Sequence, residues 1–272
     1  MLIQTEFSVS CVRPESSQLF FIFTGTGLRP AGVHTMDVVD RTAIGNRNIV
    51  ILKDPYGGCY ERGFSDDYAS LDGILRWLQE EQARHFPHVR DVFTMGTSCG
   101  GLAAIQAARH LGARAAWSFS GRLVKPEVIE ERLRVSATLY QDVIGRTRLG
   151  ELTDEEQRKL DTVFGTPEMK ELRWRLADNP STIISRALLH EMVADVKDRG
   201  SSTDCHLYYV TSNAVDRECS EAFRDCANVN LHPVTPEPVH LGKPVGFTEP
   251  DHSIIPILYR LGRLPTLFAD YL

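Results

Sequence analysis

The sequence predicts an α/β protein: a mostly parallel, doubly wound sheet with an all-helical insertion. Three observations predict it. Short apolar runs recur along the chain, stretches of helical periodicity separate them, and one long segment carries helical signals with no convincing strand. Runs that are apolar without alternation suit strands covered on both faces. Strands that alternate with helices imply parallel βαβ units.

The elements follow in order. Residues 4–12 alternate and suit an antiparallel edge. The runs 18–24 (QLFFIFT), 48–52 (NIVIL), 92–95 (VFTM), 113–119 (ARAAWSF), 206–211 (HLYYVT) and 228–233 (NVNLHP) read as the remaining strands. Leu71, Ile74, Leu75 and Leu78 form an i, i+3, i+4, i+7 helical stripe. Residues 101–111 are rich in Ala and Leu nearly all round, which predicts a helix buried against the sheet. Within 122–200 only helical signals occur. Thr153 and Glu156 make a capping box, Thr166-Pro167 an N-cap with proline at the first helical position, and Asn179-Pro180 opens a helix running through Ile184, Leu188 and Met192. The expected organisation is a core of residues 1–121 and 201–272, with a helical cap inserted at 122–200. An apolar helix is expected at 254–267.

Composition narrows the function classes. The 272 residues carry a net charge of −6, which argues against general affinity for nucleic acid or for an anionic membrane. No stretch approaches the roughly 20 apolar residues that span a bilayer, and the N-terminus lacks the basic start and apolar run of a secretion signal. Cysteines stand at 11, 59, 99, 205, 219 and 226, without a C-x-x-C pair or histidines at zinc-site spacing. The expectation is a cytoplasmic protein with reduced thiols, no metal and no organic cofactor.

One stretch points to chemistry. Gly96-Thr97-Ser98-Cys99-Gly100 matches G-x-S-x-G directly after an apolar strand and directly before a helix. That is the pattern of a nucleophile elbow, in which a strained turn presents the central side chain. The glycines are expected because side chains two positions either side would collide with the serine. The frame favours Ser98 over Cys99 as nucleophile, since both glycines fall two residues from Ser98. The backbone N–H of Cys99, at the helix N-terminus, would then face an oxyanion.

With this elbow in this strand order, the sequence resembles the α/β-hydrolase fold family over most of its length. The resemblance implies an acid after the strand that follows the cap, and a histidine on a loop after the last strand. Asp216, just past the strand 206–211, stands at the acid position. His252, ahead of the apolar C-terminal segment, stands at the histidine position, with His240 as the alternative. The loop after the first parallel strand, Gly25-Thr26-Gly27, would supply a second oxyanion donor from Thr26, with Gly27 as alternative. Tyr56 and Tyr60, on the loop after strand 48–52, are candidates to line a substrate pocket at the sheet's C-terminal edge.

The resemblance implies acyl transfer from an ester or thioester by a Ser98–His252–Asp216 triad, on a small-molecule or carrier-bound acyl substrate. Two other readings stay open. One is a biosynthetic acyltransferase or chain-releasing cyclase of polyketide or peptide assembly, with Cys99 as nucleophile. The other is a hydrolase-fold protein that binds without turnover.

Overall fold

In the computed structural model, residues 1–5, 7–25, 42–56, 58–131, 155, 158, 167, 184–198, 202–235 and 266–272 are described. Eight strands form one sheet: β1 (Leu2–Gln4), β2 (Ser8–Cys11), β3 (Gln18–Phe23), β4 (Asn48–Leu52), β5 (Asp91–Thr97), β6 (Ala115–Phe119), β7 (Asp204–Val210) and β8 (Val229–Val234). Their spatial order is β1-β2-β4-β3-β5-β6-β7-β8. β2 pairs antiparallel with β1 and β4, and every pairing from β4 to β8 is parallel. Among the helices of the described residues are α1 (Leu71–His85), α2 (Cys99–Leu111), α3 (Arg186–Asp198) and α4 (Ala214–Glu221).

The apolar runs are continuous because the sheet is buried on both sides. Leu19, Phe21 and Phe23 of β3 and Val50 and Leu52 of β4 join one apolar cluster with residues of α1, α2, α3 and α4. Phe20, Ile22, Ile49 and Ile51 point the other way, into a second cluster with Phe93, Met95, Trp117 and Phe268. A strand's side chains alternate between faces, so two covered faces require an apolar residue at every position. Burying a phenylalanine fully is worth about 2–3 kcal/mol, and β3 alone buries Phe20, Phe21 and Phe23.

α1 starts at Ser70, whose side chain accepts a hydrogen bond from the N–H of Gly73. Its predicted stripe is the buried one: Ile74, Leu75 and Leu78 face the core, with Trp77 beside them. α2 ends at Gly112 with φ 61°, a left-handed cap that glycine adopts without steric cost.

The segment expected to be a helical insertion is described at its ends and at residues 155, 158 and 167. Ile184 lies in an antiparallel bridge with Val124 rather than in the predicted helix, and the Ser185 N–H donates to the Leu123 carbonyl. Ile184 is pinned there because it is 1% exposed, so α3 begins two residues later. Its Leu189, Met192 and Val196 belong to the same core cluster as Cys219, Phe223 and Cys226 of the α4 region. Arg109 of α2 pairs with Asp195 of α3. Val124 and Ile184 thus lie side by side, and residues 186–198, assigned from the sequence to the insertion, pack with the core. The predicted caps at 153–156, 166–167 and 179–180 and the predicted helix 254–267 lie wholly or mostly outside the described residues.

A polar chain fastens the C-terminus to the sheet. Tyr271 Oη donates to Asp204 Oδ2 at 3.2 Å, so it accepts from His206 Nε2 at 2.7 Å. His206 Nδ1 is then the acceptor for His232 Nε2 at 3.0 Å. One tautomer of each ring satisfies every link. The imidazoles also stack, His206 on Trp117 and His232 on Tyr208.

Candidate active site

β3 connects to β4 on one side of it, and β5 lies on the other. Where neighbouring connections diverge, a crevice opens at the carboxyl ends of the strands. The two loops that border it are Thr24-Gly25, after β3, and Ser98, after β5.

Ser98 is the N-cap of α2, with φ 52° and ψ −121°. Non-glycine residues held in such regions cost of order 1–3 kcal/mol, and they persist only where surrounding structure imposes them. Here that structure is explicit. The Ser98 N–H donates to the Phe119 carbonyl at 2.8 Å, while its own carbonyl accepts from Gly101 at 3.0 Å and Arg122 at 3.1 Å. The side chain is left half-exposed.

The flanking glycines are required, and the nearest obstacles to a side chain at either are backbone atoms. A Cβ at Gly96 would sit 2.1 Å from the Gly100 carbonyl oxygen, and one at Gly100 would sit 2.6 Å from the Phe23 carbonyl oxygen. The elbow is compressed against its own helix turn and against the end of β3. The β3 loop also reaches the elbow, less tightly: a Cβ at Gly25 would lie 3.2 Å from Thr97 Oγ1 and 3.5 Å from the Ser98 Cβ.

Cys99 is the first residue of α2, in the turn whose N–H groups project from the helix end. It is 6% exposed and packs with Cys59 and Ile129. Cys99 and Cys59 also line a small cavity with Leu102, Gln106, Arg122 and Val124.

Asp216 lies in the first turn of α4 and is fully buried. The N-cap of that helix is Asn213, whose side chain accepts from the N–H groups of Val215 and Asp216. Capping of that helix thus falls to Asn213, three residues before Asp216. Arg122 directs Nε and Nη2 onto one carboxylate oxygen, Oδ1, each at 2.8 Å. The other oxygen, Oδ2, is buried and meets no hydrogen-bond donor among the described residues. Thr97 Oγ1 and Ser120 Oγ, flanking the elbow at the ends of β5 and β6, are in the same condition.

Tyr60 occupies a different place from a pocket wall. It is 0% exposed, and its hydroxyl donates toward the carbonyls of Thr24 and Leu52 at 2.9 and 3.1 Å. It braces the ends of β3 and β4 from behind. Burial, and then the nearby Asp54 carboxylate, push its phenol well above the ordinary range, so it stays a neutral donor. Tyr56 is half-buried on the same loop, its N–H held by Asp54 Oδ1 at 3.2 Å. Thr26, Gly27, His240 and His252 lie outside the described residues.

Arg122 was not singled out in the sequence. Its signal was available: a basic residue placed straight after the strand that neighbours the elbow. Asp216, its partner, lies 94 positions away, and nothing local connects them.

No protein-family model matches the chain, and no curated protein matches it. Solved structures do. The acetyl esterase MekB is similar over 96% of this chain and 90% of its own, with a TM-score of 0.52 and 11% identity. An α/β hydrolase from the metagenome of sediments of the Mar Chica lagoon, Morocco, is 16% identical, covering 86% of this chain and 87% of its own at a TM-score of 0.47. An α/β hydrolase superfamily protein from Enterococcus faecalis is 12% identical over 97% of this chain and 98% of its own, at 0.49. The chain has the α/β-hydrolase fold.

Proposed function

We propose that the protein is a serine hydrolase acting by acyl transfer on an ester or thioester. Ser98 Oγ adds to the acyl carbonyl carbon as its proton passes to the imidazole of His252. The tetrahedral adduct collapses by expelling an alcohol or thiol, which takes that proton. Water then repeats the sequence to release the acid. Asp216 holds the imidazole in the tautomer that accepts from Ser98. The backbone N–H groups of Cys99 and Thr26, or Gly27 in place of Thr26, would bind the oxyanion, each such donor being typically worth ~3 kcal/mol of barrier. His240 is the alternative base, and Tyr56 is a candidate to line the substrate pocket.

The observation that carries the reading is the carboxylate of Asp216. It is fully buried and gripped on one oxygen, and its other oxygen meets no donor among the described residues. Leaving such an oxygen unsatisfied costs about 1–3 kcal/mol or more, and a histidine N–H is the donor a triad supplies. The backbone of Ser98 supports serine over cysteine as nucleophile, because the strained conformation belongs to Ser98 and Cys99 is packed as a helix residue.

A fluorophosphonate probe tests this directly. The wild-type protein is expected to be labelled at Ser98, with labelling lost in Ser98→Ala and slowed in His252→Ala. Adduct at Cys99 would select the cysteine mechanism. Complete absence of labelling in a folded wild-type protein would select a binding function without turnover.

A further inference from the structure

Arg122 joins the two halves of the site through separate atoms. Its backbone N–H donates to the Ser98 carbonyl at 3.1 Å, and its guanidinium holds Asp216. The manner of that hold is informative. An arginine neutralising a buried carboxylate gains most from the fork arrangement, with one N–H on each oxygen. Here Nε and Nη2 converge on Oδ1, so Oδ2 stays turned away from the guanidinium, buried and without a donor among the described residues.

We infer that Arg122 is a positioning residue for the acid: it aims Asp216 Oδ2 at the imidazole and partly neutralises the carboxylate that the imidazole meets. The inference rests on the Ser98–Asp216 reading above. Its electrostatic part follows from counting charges around the pair. On α4, Glu218 is matched by Arg186 at 2.8 Å, and the Cys219 thiol, pushed up to about 11 by burial, is neutral. On α2, Cys99 and Gln106 face the shared cavity, and Glu61 reaches it from the loop after β4. Among the described residues, the charge within hydrogen-bonding distance of Asp216 is the Arg122 guanidinium. An imidazole facing a lone buried carboxylate holds its proton to higher pH than one facing a carboxylate already shared with arginine. Arg122 thus keeps the base neutral, and able to accept the Ser98 proton, at lower pH.

The experiment is the fluorophosphonate labelling rate against pH for wild type, Arg122→Gln, Arg122→Lys and Ser98→Ala. In Arg122→Gln the acid limb of the profile should move to higher pH by about one unit. In Arg122→Lys the limb should stay near that of wild type, while the rate falls about tenfold, because an ammonium is a point charge without the two rigidly held N–H groups that converge on Oδ1. If Ser98→Ala is not labelled and Arg122→Gln keeps both the rate and the limb of wild type, the inference is overturned and the triad stands. Labelling retained in Ser98→Ala overturns the triad itself. Should Arg122→Gln not fold, Arg122→Lys decides: a rate within about twofold of wild type would refute the positioning role.

Discussion

A methyl group at Gly100 would lie 2.6 Å from the Phe23 carbonyl oxygen and 2.8 Å from that of Thr24. Both are backbone atoms, so neither swings aside. Gly100→Ala should therefore destabilise the protein by about 3 kcal/mol, the upper part of the overpacking range. Urea denaturation is the measurement, and a midpoint equal to wild type would show that β3 and α2 are not in this contact. Asp216→Asn makes the complementary case. It retains shape but exchanges a carboxylate oxygen for an amide donor, so the imidazole loses its orienting partner. The labelling or turnover rate should fall roughly 10³–10⁴-fold. The variant also leaves the Arg122 charge without its partner, so a lowered melting temperature should accompany the loss. The elbow was legible in the sequence because its five-residue pattern sits directly between an apolar run and a helical one. The pairing of Arg122 with Asp216 was not, because two loops far apart in the chain meet only when β6 and β7 pair.

Among elements, the β3 and β4 ends are tied by Tyr60, whose hydroxyl serves the carbonyls of Thr24 and Leu52. Tyr60→Phe removes the donor to the buried Thr24 carbonyl, while the Leu52 carbonyl keeps the Thr24 N–H and hydroxyl, at a cost of about 1–3 kcal/mol. The expected result in differential scanning fluorimetry is a lowered midpoint, with the acid limb of the labelling profile unmoved. A shifted limb would instead give Tyr60 an electrostatic role at the site. The sequence marked β4 at the bounds observed, since a buried run of β-branched and aliphatic residues admits little else. It assigned Tyr60 to a pocket because an aromatic after a strand suits either a wall or a strut, and only packing distinguishes them. Ile184 shows the same limit. Its spacing with Leu188 and Met192 fits a helix, yet pairing with Val124 holds it in an extended bridge.

Across the whole molecule, the sheet brings His206, His232, Asp204 and Tyr271 into one hydrogen-bonded chain far from the elbow in sequence. Burial, followed by the neighbouring His206, lowers His232 to about 4, and burial likewise lowers His206. Burial and then Asp204 push Tyr271 up to about 12. The sign for stability follows from proton counts. Above the unfolded histidine value of about 6.5, both states are neutral and the contribution is complete. As pH falls from there toward about 4, the unfolded chain binds protons that the folded chain does not, and stability is lost. The melting temperature should drop across that window, and His232→Gln, which keeps a neutral donor, should drop less. Equal losses in both proteins would assign the acid sensitivity elsewhere. The sequence by itself determined the α/β class, nearly every described strand, the two-faced burial of the sheet and the elbow at Ser98, because periodicity and steric patterns are local properties of a chain. Tertiary structure alone decided that Gly100 relieves a contact with the end of β3, that Tyr60 is a strut, and that Arg122 holds Asp216 by one oxygen. Each of those depends on distances between segments that only the completed sheet brings together.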